Sequence, residues 1–247
     1  MVLKRKKIAR VGAFSTLGIV GVVVLYLALL CHPGLFFSHK FTRGGITLYA
    51  DEPIPPEPAG RILEEVERRL ARSPLAALPR IKDLRIYICN RRWRFGLFAT
   101  TKYKVGGLAY FPLSNNIFLR TVHFPANRLV GHSGHEVPGA RTLSYFIAHE
   151  IMHTLVAREL GIVKHWRLPA WKNEGYADLV AKGGDFDYER TREQLRRGDR
   201  ELDPKRSGLY LRYHLLVAYL LDHRGIRVDE LLNRDFDPAQ LEAEILE

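Results

Sequence analysis

His149-Glu150-Ile151-Met152-His153 has the pattern H-E-x-x-H. Residues four apart in a helix share one face, so this stretch would point two imidazoles at the same spot with a carboxylate beside them. Two histidines at this spacing are half of a zinc site, and the glutamate is in the position of a general base. The stretch therefore predicts a metal site on a helix.

The surrounding residues favour that helix. Residues 142–160 contain no glycine or proline, and Gly161 follows where a helix C-cap glycine is common. Apolar residues recur at helical spacing, which gives the helix a side to bury: Phe146, Ile147, Ile151, Leu155 and Val156. Unpaired polar groups are costly in a protein interior, and a metal would satisfy the two histidines. The alternative is a partly exposed helix with solvated histidines.

A catalytic zinc needs a third protein ligand and a fourth position for water. A second helix is predicted from Pro169 to Gly183-Gly184, and on it Glu174 and Asp178 lie four apart on one side. We expect Glu174 to be the third ligand and Asp178 to accept a hydrogen bond from the far ring nitrogen of a metal-bound histidine. The alternative, two acids on a solvated face, is disfavoured by the helix's large apolar residues: Trp171, Tyr176 and Leu179.

The H-E-x-x-H motif is followed at residues 171–178 by W-x-x-E-G-x-A-D. This pair of motifs resembles the gluzincin zinc metallopeptidases, especially their small peptidase-MA-like domains, over residues 143–225. The resemblance implies a zincin-like fold, one zinc ion per chain and hydrolysis of peptide bonds in a peptide or protein substrate. It also implies roles for five residues: His149, His153 and Glu174 as zinc ligands, Glu150 as catalytic acid/base, and Asp178 as support for a ligand.

Similar families often stabilise the reaction's oxyanion with a Tyr or His from a later element. A helix is predicted from about residue 207 to Arg224, with Gly225 as its stop. The resemblance points to Tyr210 at its start. Tyr213 and His214, one turn further on, are alternatives, as is a purely structural tyrosine.

Two other functions fit the same motifs. A catalytically inactive zincin-fold membrane protein would use the site for binding or scaffolding. A structural zinc site would close the fourth coordination position with a protein group, although no additional Cys or His has a spacing that predicts this.

The N-terminus predicts a membrane anchor. Residues 11–30 are uncharged and long enough, as a helix, to cross the hydrocarbon core. Five cations precede them (Lys4, Arg5, Lys6, Lys7, Arg10), whereas Lys40 and Arg43 are the only cations in the fifteen or so residues after them. This bias places the N-terminus in the cytoplasm and the rest outside it, on the periplasmic side of a bacterium. The alternative is a cleaved signal peptide, which has a shorter apolar core and small residues at its exit.

The chain is basic, with 38 Lys and Arg, 27 Asp and Glu, and a formal charge of +11. Five of these cations belong to the N-terminal tail, and the remaining excess suits a domain near an anionic membrane. No nucleic-acid-binding pattern is present, so nucleic acid is not an expected partner. Cys31 and Cys89 lack the spacing of a cysteine-zinc or redox motif, and Cys89 is expected to be a buried thiol.

The predicted division is a cytoplasmic tail (1–10), a transmembrane anchor in the lipid bilayer (11–31), a linker (32–45) and a zincin-like domain (46–247). Strands are predicted first and helices from Thr142 onward, which indicates an α+β fold with a small mixed or antiparallel sheet and one core. The predicted strands are 46–49, 83–89, 107–111 and 116–122, with a helix at 61–72. The cluster Arg91-Arg92-Trp93-Arg94 is expected to be an exposed turn, with a substrate-facing role as the alternative.

Three further segments bear on the site. The resemblance implies that an edge strand binds extended substrate by backbone pairing, and residues 116–122 are the candidate. Residues 125–139 are expected to form a loop over the cleft, and their His132 and His135 offer a second metal site as an alternative. The charged residues 184–206 are expected to be a surface excursion, and Asp237-Pro238 to open a final helix that buries Leu241 and Ile245.

Overall fold

The computed structural model describes residues 18–77 and 83–247. These residues form an α+β fold around a five-stranded mixed sheet with the order β1-β2-β3-β5-β4. The central strands β2, β3 and β5 are parallel, and the outer strands β1 and β4 run antiparallel to their neighbours. The strands of this sheet are β1 His39–Arg43, β2 Ile46–Ala50, β3 Leu84–Cys89, β4 Gly107–Ala109 and β5 Asn116–Arg120. A small hairpin follows, of β6 Val122–His123 and β7 Arg128–Leu129.

Helices lie on both sides of the sheet. Residues 18–31 are helical and are called α1. The remaining α-helices are α2 Pro56–Leu70, α3 Arg92–Ala99, α4 Leu143–Arg167, α5 Ala170–Lys182, α6 Tyr188–Arg196, α7 Pro204–Ser207, α8 Leu211–Ala218, α9 Val228–Asn233 and α10 Pro238–Leu246. A π-helical turn, Tyr219–His223, extends α8.

Strand alternation divides the interior into two layers. On β3, Leu84, Ile86 and Ile88 point into the larger cluster with α2, α4, α5 and α8. Tyr87 and Cys89 point to the opposite face, into an aromatic cluster with α3 and the end of α1. The sheet therefore separates two apolar layers, where the sequence predicts one core. Cys89 is buried, as expected.

The predicted α+β class and the four predicted strands are confirmed, with shorter strands than expected at 107–109 and 116–120. Three expectations about the strands and the segments between them are wrong. Residues 39–43 of the predicted linker form β1, the outer strand beside β2. β5 is an inner strand, so the edge nearest α4 is β4. Residues 92–94 begin α3 rather than forming a turn.

The predicted anchor falls partly outside the described residues, because residues 1–17 are not described. Within the described part, no helix is both long enough and apolar enough to cross a membrane. The end of α1 packs on the domain: the Tyr26 hydroxyl donates to the Leu97 carbonyl at 3.1 Å, and Asn116 Nδ2 donates to the Leu30 carbonyl at 2.8 Å.

The helix that carries H-E-x-x-H begins one residue after Thr142, whose hydroxyl accepts the Tyr145 N–H. It does not end at Gly161. Gly161 adopts φ 72° and kinks the helix, which then continues to Arg167. The expected final helix is present as α10, and both Leu241 and Ile245 are buried. The predicted surface excursion contains α6, whose residues are half-buried or exposed except for the buried Thr191.

Candidate metal centre

Helices α4 and α5 pack against each other and bring three predicted ligands together. His149 Nε2 lies 3.1 Å from His153 Nε2, and Glu174 Oε2 lies 3.2 and 3.4 Å from these two nitrogens. The three side chains thus present one ligand atom each to a common point. Among the described residues, these three side chains form the group of His, Cys, Asp and Glu residues that lies close enough together to hold a metal ion.

The spacing of these atoms fits zinc. Bond lengths of about 2.0–2.2 Å in a tetrahedral site place ligand atoms about 3.3–3.6 Å apart. The observed separations of 3.1 to 3.4 Å are close to that range. Two imidazoles and one carboxylate are also a donor set typical of catalytic zinc, which leaves a fourth position for solvent or substrate. The residues present therefore fit the ion that the motifs imply.

Electrostatics in the cluster are strongly coupled. Burial alone would raise the pKa of Glu174, but the charge of His153 and hydrogen bonds from both rings hold the pKa well below its usual range. Burial would lower the pKa of His153, and the neighbouring carboxylates, chiefly Glu174, outweigh it and raise the pKa to about 9. Without a metal, Glu174 and His153 therefore form an ion pair, and a bound cation would take the place of the positive charge on His153.

The far ring nitrogens are held differently from the prediction. His153 Nδ1 lies 3.1 Å from Asn173 Oδ1, so Asn173 orients this ring. His149 Nδ1 is buried and has no hydrogen-bond partner. Asp178 therefore bonds neither histidine, and its predicted direct contact with a ligand is wrong.

Asp178 is instead the centre of a buried polar network. It is 1% exposed and accepts hydrogen bonds from the Tyr145 hydroxyl at 2.5 Å and from His214 Nδ1 at 2.8 Å. Lys182 Nζ also lies 2.8 Å from its carboxylate. Burial alone would raise the pKa of Asp178, but His214 and Lys182 hold it well below its usual range. Because Tyr145 stacks on the ring of His149 at 5.6 Å, the network reaches the site through that tyrosine.

Glu150 is buried beside the three predicted ligands, on the cleft side of α4. Burial raises its pKa, and the positive charges of His153 and His149 oppose that rise only in part. A Cβ at Gly107 would lie 3.0 Å from Glu150 Cγ, so the start of β4 passes directly over this side chain. Glycine at 107 permits that close approach.

Of the three candidates for the oxyanion role, Tyr210 alone lines the cleft. Its ring stacks on His149 at 5.6 Å with an interplanar angle of 6°, and the residue occupies the N-cap position of α8 without a capping hydrogen bond from its side chain. Burial and the nearby carboxylate of Glu174 raise its pKa. The ring of Tyr213 stacks on the ring of Tyr210 at 6.2 Å and does not line the cleft. His214 is buried against Asp178 and Phe186.

The cleft in front of the three ligand atoms has a volume of about 630 Å³. The edge strand β4 and the preceding Gly106 form one wall of the cleft. β4 therefore takes the place at the sheet edge that was predicted for residues 116–122. His132 reaches the cleft from the predicted loop, whereas His135 is exposed. The single acid of that loop, Glu136, pairs with His123 at 2.5 Å, and no second metal cluster exists among the described residues.

Four residues of the site are absent from the sequence-based prediction: Tyr145, Asn173, His165 and Arg120. Tyr145 lies four residues before His149, so helical spacing could have indicated it. Asn173 precedes the predicted ligand Glu174. Neither His165, beyond the kink at Gly161, nor Arg120, at the end of β5, carries a local signal, because only the tertiary fold brings them to the cleft.

A scan against models of known protein families finds no match to this chain, and a search of curated proteins finds none either. Any functional assignment therefore depends on the chemistry of the cleft.

Proposed function

We propose that this chain is a membrane-anchored, extracytoplasmic zinc metallopeptidase with a zincin-like fold. The observation that carries the proposal is the convergence of His149, His153 and Glu174 at tetrahedral spacing, with Glu150 buried beside them in an open cleft. Metal ligands with a vacant side and an adjacent acid are the arrangement that metal-assisted hydrolysis requires.

Each residue has a distinct role in this proposal. Zinc, when bound, polarises the substrate carbonyl and lowers the pKa of water. Glu150 accepts the proton of the attacking water and returns it to the leaving amine. Burial raises its pKa, which makes the carboxylate a better proton acceptor than an exposed one. Tyr210 donates its phenol hydrogen to the substrate oxygen that gains negative charge.

The edge strand suits an extended substrate. β4 is hydrogen-bonded to β5 on one side only, and its residues line the cleft. The backbone of a peptide can add to such an edge by β-augmentation, which would lay a peptide bond across the site.

The proposed anchor is supported by the apolar run of residues 11–30 and by the surface of α1. Ile19, Val22 and Leu25 are 65%, 68% and 73% exposed. Such exposed aliphatic side chains are unfavourable in water and favourable in lipid. Together with the basic tail, they favour a domain tethered on the extracytoplasmic side.

The test is Glu150→Gln in the full chain, purified in detergent with zinc. The wild type is expected to cleave a mixture of unstructured peptides, as detected by mass spectrometry, and the variant is expected to retain zinc and lose cleavage. Glu189→Gln, on the exposed face of α6, is the matched control and should behave as wild type. A zinc-loaded wild type that cleaves nothing would favour the binding or scaffold function instead.

A further inference from the structure

Arg120 is an unusual cation in the cleft because its side chain is buried with no hydrogen-bonding or ion-pair partner among the described residues. It is 5% exposed, and both Nε and Nη1 lack hydrogen bonds. Its guanidinium lies over the ring of Phe95 at 5.5 Å, which shields it from water on one side. A buried charge without a counter-ion is costly, so such a group calls for a ligand or another compensating role.

The strand pairing places Arg120 close to the proposed chemistry. Its backbone N–H donates to the Gly106 carbonyl at 3.2 Å, and the next residue, Gly107, contacts Glu150. The Arg120 side chain leaves β5 on the α3 side and lines both the main cleft and an adjoining cavity of about 310 Å³. His132 lines both spaces as well.

A second guanidinium reinforces the positive charge there. Arg92, at the start of α3, lines the same adjoining cavity as Arg120, and burial together with the charge of Arg92 lowers the pKa of Arg120. Neither guanidinium has an ion-pair partner among the described residues. Two like charges on the wall of one cavity repel each other, and an anion bound in that cavity would offset the repulsion.

Most of the other charged residues that line the cleft are also positive. Lys102, Lys104 and Arg141 line it in addition to Arg120. Its acidic lining, within the described part of the chain, consists of Glu150 and Glu174, both committed to the proposed metal chemistry. A cleft of this kind attracts anionic substrates and disfavours cationic ones.

We propose that Arg120, with Arg92 beside it, forms a subsite that binds a carboxylate group of the substrate. A planar guanidinium can bind a carboxylate through two adjacent N–H groups, and a carboxylate that enters from the cleft would supply the negative charge that Arg120 lacks. This inference rests on the proposed function, because it names the substrate class of that hydrolase: peptides with a carboxylate near the bond to be cleaved.

The test measures binding without turnover and without metal, since zinc would itself bind a carboxylate. Three matched peptides are titrated into the chelator-treated full chain by calorimetry: one with a free C-terminal acid, one amidated with an internal Glu, and one amidated with Gln in its place. At least one acidic peptide is expected to bind about tenfold or more tightly than the neutral peptide. Comparison of the peptide that has a free C-terminal acid with the peptide that has an internal Glu identifies which carboxylate the subsite binds.

The preference for acidic peptides should depend on the guanidinium group of Arg120. Arg120→Gln is expected to abolish it, and Arg120→Lys to retain only part of it. Arg85→Gln removes an equal charge from an exposed position on β3 and is expected to retain the full preference. Equal binding of acidic and neutral peptides, no measurable binding at millimolar concentration, or an undiminished preference in Arg120→Gln would overturn the proposal.

Stability provides an independent readout. Arg120→Met keeps the apolar stem of the side chain and removes the unpaired charge, so its melting temperature should equal or exceed that of the wild type. A large decrease would mean that Arg120 is structural. Because neither measurement requires hydrolysis, failure of the subsite and failure of the peptidase assignment can be told apart.

Discussion

The hydroxyl of Tyr145 donates a 2.5 Å hydrogen bond to Asp178. Both side chains are almost completely buried, and they connect the first turn of α4 to the middle of α5. The same tyrosine ring stacks on His149. One contact between two helices therefore ties the buried carboxylate network to a predicted zinc ligand.

Tyr145→Phe removes the hydroxyl and keeps the ring. One oxygen of Asp178 would lose its partner, which should lower the free energy of unfolding by about 1–3 kcal/mol. Because groups that support metal ligands influence affinity, zinc binding should weaken about tenfold. Urea unfolding and a competition titration with a chromogenic chelator measure the two effects. Tyr49→Phe, a half-buried tyrosine on the far strand β2, is the control; unchanged zinc affinity in Tyr145→Phe would contradict the connection.

Asp178→Asn tests the charge of the network. Removing the carboxylate leaves Lys182 buried without its counter-ion, so the expected loss at pH 7 is about 3 kcal/mol. The pKa of Asp178 in the folded protein lies below its ordinary value of 3.8, so the stability it contributes is fully present above that value and is lost as the pH falls below it. The gap in unfolding free energy between wild type and variant should be constant from pH 7 to about pH 5 and narrow below about pH 4. A gap that stays constant or widens in acid would contradict the assigned role.

Gly175→Ala tests the packing behind Glu174. A Cβ at this position would lie 2.4 Å from the backbone oxygen of Tyr213, so α5 and α8 would have to move apart. We expect a loss of about 1–3 kcal/mol in unfolding free energy and weaker zinc binding, because Glu174 is the adjacent residue. Gly96→Ala is the control: its Cβ would meet nothing within 4 Å, and alanine should stabilise α3 by about 0.5–1 kcal/mol. Equal stability of the two variants would contradict the close approach of α5 and α8.

The fold was predictable where the periodicity of the chain is local. Alternation at Leu84, Ile86 and Ile88 indicates β3, and the run that carries His149 indicates α4. Strand order was not predictable, because it depends on which strands pair across the sheet. This is why β4 rather than β5 forms the edge at the cleft.

The candidate site was likewise predictable only in part. His149, His153 and Glu174 lie in two short motifs whose helical spacing makes their convergence predictable. Two of the partners of Asp178, Tyr145 and His214, were not predictable, since they come from two other helices and local spacing cannot show which buried donor reaches a carboxylate. The third, Lys182, lies four residues on in the same helix, at a spacing that helical periodicity does indicate. Arg120 has no motif of its own, and its lack of a partner is visible only in three dimensions.

The zinc content of the purified full chain tests the central claim most directly. Metal analysis is expected to find one zinc per wild-type chain, and Glu174→Ala should lose most of it, because two imidazoles alone hold the ion weakly. Glu189→Ala, an acid on the exposed side of α6, should keep its full zinc content. Full zinc occupancy in Glu174→Ala, or no zinc in the wild type after reconstitution, would contradict the proposed metal centre.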